Sequence, residues 1–121
     1  MTKAEPRCPF CLGNDLFKGE ILAKSAHGYL TEDNFNPGNY LIIPMTHNTS
    51  PYELSDMWWA DVKTLMSIVP GLSDQYNVSL NIGSDAGQSL KHLHFWVIPR
   101  LREKPSSGKG LTRFIAEADA A

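Results

Sequence analysis

Segment 90–98, Leu-Lys-His-Leu-His-Phe-Trp-Val-Ile, is the most strand-like stretch of the chain and requires a sheet in any fold the chain adopts. Strand periodicity sends His92, His94 and Trp96 to one face and Leu93, Phe95 and Val97 to the other. Two imidazoles and an indole therefore share one wall. Successive same-face residues lie about 6.6 Å apart along a strand, so one histidine can ligate a metal while the next addresses a substrate. Distinct roles are expected for His92 and His94.

The rest of the chain supplies partners for that strand. Runs 20–24, 27–31 and 40–43 are separated by turn material, Ser25-Ala26 and then Asp33-Asn34-Phe35-Asn36-Pro37-Gly38-Asn39, and read as meandering strands. Val78, Leu80 and Ile82 alternate with Asn77, Ser79 and Asn81, which predicts a strand that pairs with 90–98 across the loop 83–89. Between 56 and 69, Trp58, Trp59, Val62, Leu65, Met66 and Val69 recur at intervals of three and four, the signature of an amphipathic helix. Ser55 is its expected N-cap, Ser50-Pro51-Tyr52-Glu53 has the pattern of a capping box, and Pro70-Gly71 stops it. The tryptophans at this spacing read as core or subunit-contact residues. The expected class is α+β: an antiparallel sheet of about five strands with one main α-helix.

A chain of 121 residues is the size of one domain, so 1–121 is read as a single unit with a mobile tail from about residue 102, ending in a frayed helix over 111–121. With 11 basic and 13 acidic residues the net charge is −2, and the basic residues are scattered, which argues against a nucleic-acid polymer as partner. A small phosphate ligand remains compatible, because backbone N–H groups and one or two side chains suffice to hold it. No apolar run approaches the roughly 18 residues of a membrane span. Residues 1–7 lack the apolar stretch of a signal peptide, so the expected location is the cytoplasm.

Cys8-Pro9-Phe10-Cys11 has the two-residue gap that lets two thiolates from one tight turn bind a single metal ion. The same spacing also fits a redox dithiol. The metal reading is favoured because a redox motif of this kind opens a helix after a strand, whereas only seven residues precede Cys8 and Gly13-Asn14 follows almost at once. A tetrahedral site needs two further ligands, and the chain has four histidines: His27, His47, His92 and His94. His47 lies just past the strand 40–43 and His92 within 90–98, where a sheet could bring both to the cysteine turn. His27 is assigned no chemistry.

Gly87-Gln88-Ser89-Leu90-Lys91-His92-Leu93-His94-Phe95-Trp96 resembles the histidine-triad (HIT) signature, a Gly-Gln-Ser turn followed by His-φ-His-φ-His with φ apolar. The resemblance extends to Asn81-Ile82-Gly83, to Leu41-Ile42-Ile43-Pro44-Met45-Thr46-His47, and to the amino-terminal Cys-x-x-Cys of zinc-containing members, covering the chain from about Cys8 to Arg100. It implies a HIT-like fold, homodimers, and attack on the α-phosphorus of a nucleotide. By that resemblance His94 is the catalytic nucleophile and forms a nucleotidyl-imidazole intermediate, discharged to water or to a second phosphate-bearing acceptor. Ser89 and Asn81 would bond phosphate oxygens, Gln88 with the Gly87–Ser89 backbone would shape the cradle, and Cys8, Cys11, His47 and His92 would hold a structural zinc.

Trp96 occupies the position of the third histidine. An indole donates a hydrogen bond but has no proton to transfer near neutral pH, so cleavage of poor leaving groups should lose about 10²–10⁴ in rate, and polyphosphate leaving groups less. Trp96 could also narrow the pocket or stack on a base. The leading reading is a zinc-containing nucleotide hydrolase or nucleotidyltransferase; its rival is a zinc-containing protein that binds a nucleotide without turnover. The acidic ribose contact of the family falls near Thr31-Glu32-Asp33, with no residue assigned.

Overall fold

Tyr40-Leu41-Ile42-Ile43 is apolar without alternation because both of its faces are buried. The computed structural model describes residues 5–121. In it this run belongs to β3 (Tyr40–Pro44), the central strand of a five-stranded antiparallel sheet. The others are β1 (Ile21–Lys24), β2 (Gly28–Glu32), β4 (Tyr76–Leu80) and β5 (Phe95–Pro99), in the order β1-β2-β3-β5-β4. The first three strands form the expected meander, with a bulge in β1 between Ile21 and Ala23. The strands at 78–82 and 90–98 pair as predicted, with shifted limits.

Strand parity sorts the core into two layers. Leu30, Tyr40, Ile42, Phe95 and Val97 pack on one face against Trp58, Val62 and Leu65 of the helix α1 (Asp56–Met66). Tyr29, Leu41 and Ile43 look the other way, with Trp96 beside them, and are covered by Phe10, Leu12 and Phe17 from the amino-terminal segment. The sheet is thus roofed by a helix on one side and by an irregular segment carrying the two cysteines on the other.

The helix begins as expected: the Ser55 hydroxyl accepts from Trp58 N–H (3.1 Å), and the capping box at Ser50 and Glu53 forms a short 3-10 turn just upstream. It ends three residues early. Ile68 and Val69 donate to Leu65 and Met66, tightening the chain into i→i+3 bonds before Pro70, which disfavours a helical residue ahead of it. Val69 nevertheless stays in the core. Trp58 lies so close to the sheet that only glycine fits at position 28, where an added Cβ would sit 2.7 Å from Trp58 Cζ3.

The last strand starts at Phe95, not Leu90. Its register on β3 sets Ile42 against Phe95 and Leu41 against Trp96, and continuing it would set Pro44 against Leu93. Pro44 has no N–H for the ladder. Leu93 N–H turns instead to the Asn48 carbonyl (2.9 Å), outside the sheet. His92 and His94 therefore precede the strand, although the alternation of faces continues through them.

Beyond β5, the Arg100 guanidinium donates to the carbonyls of Ser106 and Lys109, and α2 (Leu111–Ala120) occupies the stretch read as a terminal helix, fully exposed. Among the described residues no helix is long and apolar enough to cross a membrane.

Candidate active site and metal centre

The Cys-x-x-Cys segment closes a tight turn, with Cys11 N–H donating to the Cys8 carbonyl (3.2 Å), so both sulfurs face inward. The Tyr29 hydroxyl anchors that turn to the sheet by donating to the Phe10 carbonyl (2.5 Å). Burial holds the Tyr29 phenol well above its ordinary range, which keeps the donor protonated.

His92 reaches the two sulfurs from the other end of the chain. Its Nε2 faces the Pro44 carbonyl at 2.8 Å. A carbonyl only accepts, so Nε2 carries the proton and Nδ1 is left bare, 3.5 Å from Cys8 Sγ and 3.4 Å from Cys11 Sγ. His47 Nδ1 lies 3.3 Å from Cys11 Sγ. The four ligand atoms fall within 4.8 Å of one another. Zn–S bonds near 2.3 Å and Zn–N bonds near 2.0 Å at a tetrahedral angle separate N from S by about 3.5 Å, so these spacings suit one metal ion of that size.

The charge state of His92 agrees with that use. Burial, opposed by the Pro44 carbonyl and reinforced by the nearby His47 and His94, pushes the His92 imidazole down to about 4, so the ring is neutral and its lone pair available. Burial pushes the Cys11 thiol up, the opposite of the depressed value that activates a redox cysteine. The donation of the His92 Nε2 proton to a backbone carbonyl is the outer-shell bond that fixes a ligating imidazole.

His94, two residues on, is 5% exposed and donates from Nδ1 to the His92 carbonyl (3.0 Å). Its Nε2 is thereby the unprotonated nitrogen, and the residue borders a cavity of about 560 Å³ lined by Phe10, Phe17, Asp33, Leu41, Ser89 and Trp96, among others. Burial pushes the His94 imidazole down, partly offset by the His92 carbonyl and by the charge of Asp33, which favours the neutral ring. The Phe10 ring meets His94 edge-on with centroids 5.0 Å apart, and Trp96 flanks it at 5.7 Å.

Of the residues expected to hold phosphate, Ser89 and Trp96 line this cavity with His94; Asn81, Gly87 and Gln88 lie on the adjoining loop and do not line it. Gln88 works on the loop itself: Oε1 accepts from Gly83 N–H (2.8 Å) and Nε2 donates to the Leu90 carbonyl (2.8 Å). Gly87 has a left-handed backbone (φ 92°), with Asn81 Nδ2 3.4 Å from where a Cβ would stand. The Ser79 hydroxyl in turn donates to Asn81 Oδ1 (2.9 Å).

Two contributors escaped the sequence reading. Asp33, within the segment left unassigned, is 6% exposed in the cavity wall, its carboxylate accepting from Phe35 N–H (3.0 Å) and Asn36 Nδ2 (3.2 Å). The local signal was an aspartate opening an Asn-rich turn, where its carboxylate can cap the backbone two residues on. Phe10 was also detectable, because a residue between two metal-spaced cysteines is carried wherever they go. His27, given no chemistry, lies outside both clusters and pairs with Asp61 of α1 (3.0 Å).

Comparison with known proteins matches this arrangement. A family model described as the HIT domain matches residues 29–103. The chain belongs to the HIT family. Among HIT proteins, it is 34% identical over 111 residues to the adenosine 5'-monophosphoramidase of Schizosaccharomyces pombe, spanning 85% of this chain and 81% of that one. It is 32% identical over 110 residues to the AP-4-A phosphorylase of Mycobacterium tuberculosis, across 82% of this chain and 56% of the relative. In fold it is similar to a Zn-bound histidine triad family protein from Mycobacterium smegmatis, with a TM-score of 0.67 at 21% identity, covering 94% of this chain and 96% of that chain.

Proposed function

We propose that this HIT protein is a nucleotide hydrolase or nucleotidyltransferase that works through a covalent nucleotidyl intermediate on His94 Nε2. One observation carries the reading: the His94–His92 carbonyl bond places the imidazole proton on Nδ1 and leaves Nε2 with a free lone pair, on a side chain that lines the cavity. Attack of Nε2 on the α-phosphorus splits a difficult displacement into two easier ones. The cavity suits a nucleoside monophosphate unit, with Phe10, Phe17 and Leu41 offering apolar surface, Asp33 an acceptor for ribose hydroxyls and Ser89 a donor near the phosphate. The relatives named for nucleotide chemistry support the same class.

Cys8, Cys11, His47 and His92 fit a structural zinc, which when bound would tie the amino-terminal turn to the segment that carries the nucleophile. Homodimer formation, implied by the family, is supported by apolar side chains left exposed on the edge strand β4 (Tyr76, Val78) and on α1 (Trp59). Its test is the sedimentation mass in solution.

The test of function is direct. Incubation with α-labelled dinucleoside polyphosphates and nucleotide amidates, followed by quenching, should trap an acid-labile label on the protein that is missing in His94→Ala. Nucleotide binding with neither turnover nor label across that panel would replace the enzyme by a binding protein.

A further inference from the structure

His27 and Asn48 are polar side chains that neither cluster above uses, and both border a second cavity, of about 390 Å³. It lies between the β1–β2 turn, the segment that follows β3 and the entry to α1. Its walls are fixed by bonds already made. Met45 N–H donates to the His27 carbonyl (2.9 Å), tying the turn to the end of β3, and Leu93 N–H holds the Asn48 carbonyl (2.9 Å). The Asp61 carboxylate accepts from the Ser25 hydroxyl (2.7 Å) and from His27 Nδ1 (3.0 Å), so α1 orients the imidazole. A carboxylate only accepts, so Nδ1 carries the proton and Nε2 of the neutral ring is an acceptor, with no partner among the described residues.

Asn48 supplies the complementary group. It is 5% exposed, and its Oδ1 accepts from the Thr46 hydroxyl while Nδ2 bonds to none of the described residues. The unpartnered side-chain nitrogens sealed from solvent are the indole nitrogens of Trp58 and Trp96. Asn48 Nδ2 is unpartnered without being sealed, and so stays within reach of an entering atom. An amide donor this deeply placed and left without an acceptor is destabilising.

The rest of the lining sets charge and shape. Among the described residues no lysine or arginine borders the cavity, and Glu53, whose carboxylate accepts from Thr49 and Ser50 N–H (2.8 and 3.1 Å), opposes an anion there. The entry of α1 has the opposite polarity, but Ser55 caps it and Asp56 offsets it in the first turn. Pro44, Met45, Leu54 and the Trp58 ring offer apolar surface. A cavity of this size is at the small end of the range for ligand sites.

We propose that this cavity is a second ligand site, separate from that of His94, and that it takes a small neutral amide on an apolar or aromatic body. The amide carbonyl accepts from Asn48 Nδ2, the amide N–H donates to His27 Nε2, and the body lies against Met45, Leu54 and Trp58. No covalent bond forms or breaks. A carboxylate of the same shape brings no donor for Nε2 and meets the charge of Glu53.

The test is an NMR titration of the 121-residue chain in a mildly alkaline buffer, followed on backbone and asparagine side-chain amides, with benzamide, benzoate and N,N-dimethylbenzamide. Benzamide should bind with a Kd of about 1 mM, as a ligand of so few atoms can, and shift the signals of Ala26, Thr46, Leu54 and the Asn48 side chain. Benzoate, and N,N-dimethylbenzamide, which keeps the carbonyl but has no N–H, should each bind about tenfold more weakly or worse. Asn48→Asp, which keeps the shape and removes the donor, and His27→Phe, which keeps a ring and removes the acceptor, should each weaken benzamide by about tenfold. No benzamide binding at about ten times the expected Kd overturns the proposal. Shifts confined to Phe10, Ser89 and His94 overturn it too, as does benzoate binding as tightly as benzamide, and none of these outcomes needs a variant to fold. Labelling of His94 tests the other cavity, so either reading can fail alone.

Discussion

His94 Nδ1 and the backbone carbonyl of His92 stand 3.0 Å apart, and that single bond links the Cys/His cluster to the side chain proposed as the nucleophile. His92 turns its own ring to the cysteines while its carbonyl fixes the tautomer of the histidine two residues on. Because the accepting atom is backbone, no side-chain substitution at 92 deletes it; what a substitution can do is release the segment. Removing the nucleophile itself should therefore be far more severe than loosening its support. His94→Ala is expected to lower kcat by roughly four to six orders of magnitude, the range seen when an enzyme loses a covalent nucleophile, with the far-UV circular dichroism unchanged. A residual rate within tenfold of the wild type would place the chemistry elsewhere.

Metal removal should act on stability first. Elemental analysis should find about one zinc per chain, with that zinc lost in Cys8→Ser. A ligand that binds only the folded state stabilises it by about 4 kcal/mol when its free concentration is 1,000-fold above Kd. Denaturant unfolding with and without a strong chelator should show a loss of that order, and Cys8→Ser should unfold at the chelated midpoint in either condition. Protein without metal, carrying a reversible Cys8–Cys11 disulfide, would return the turn to redox chemistry.

Much of this architecture was legible in order of residues, and the exceptions share a cause. Alternation placed His92, His94 and Trp96 on one face and Phe95 and Val97 on the other, because side-chain parity survives even where the ladder does not. The start of β5 was not legible from its own segment: it depends on Pro44, a neighbour 51 positions away in sequence from Phe95 by their numbering, which cannot donate across the register. The Cys8–Cys11–His47–His92 cluster was readable because only four histidines compete for it and the resemblance to the family selects two of them. Asp33 was not, because Glu32 is an equally acidic neighbour that also borders the cavity, and only folding buries Asp33 while engaging the Glu32 carboxylate with Gly38 N–H (2.8 Å). Which loop residues line the cavity also depends on loop geometry: Gln88 looks like a ligand in sequence, yet its side chain is engaged by its own loop.

Gly28 offers a test of the helix-on-sheet packing. An added Cβ would meet Trp58 Cζ3 at 2.7 Å and the Ile43 carbonyl oxygen at 3.1 Å, and neither a buried indole nor a central strand can easily withdraw. Gly28→Ala should cost about 1–3 kcal/mol in equilibrium unfolding, as overpacking does. Trp58→Phe removes the clashing edge while creating a cavity of its own, so the double variant should be less destabilised than the sum of the two singles. Strict additivity would show that the contact with Trp58 is not the source of the cost.

Asp61 makes the acid limb of the stability profile predictable. Its carboxylate accepts from the Ser25 hydroxyl (2.7 Å), from His27 N–H (2.9 Å) and from His27 Nδ1 (3.0 Å), tying the β1–β2 turn to α1. The Ser25 hydroxyl is the largest cause holding this carboxyl below its ordinary value, followed among the favourable contacts by the His27 backbone and ring. A carboxyl depressed in the folded state contributes stability that is fully present above its unfolded pKa of about 3.9 and is lost as pH falls through the folded value. The difference in unfolding midpoint between wild type and Asp61→Asn should accordingly be present above about pH 4 and shrink below it. Carbon NMR of the Asp61 carboxyl should show it titrating below the usual aspartate range in the wild type and moving back up in Ser25→Ala. A difference between wild type and Asp61→Asn that persists undiminished where the carboxyl is protonated would show that the charge on Asp61 is not what ties the turn to the helix.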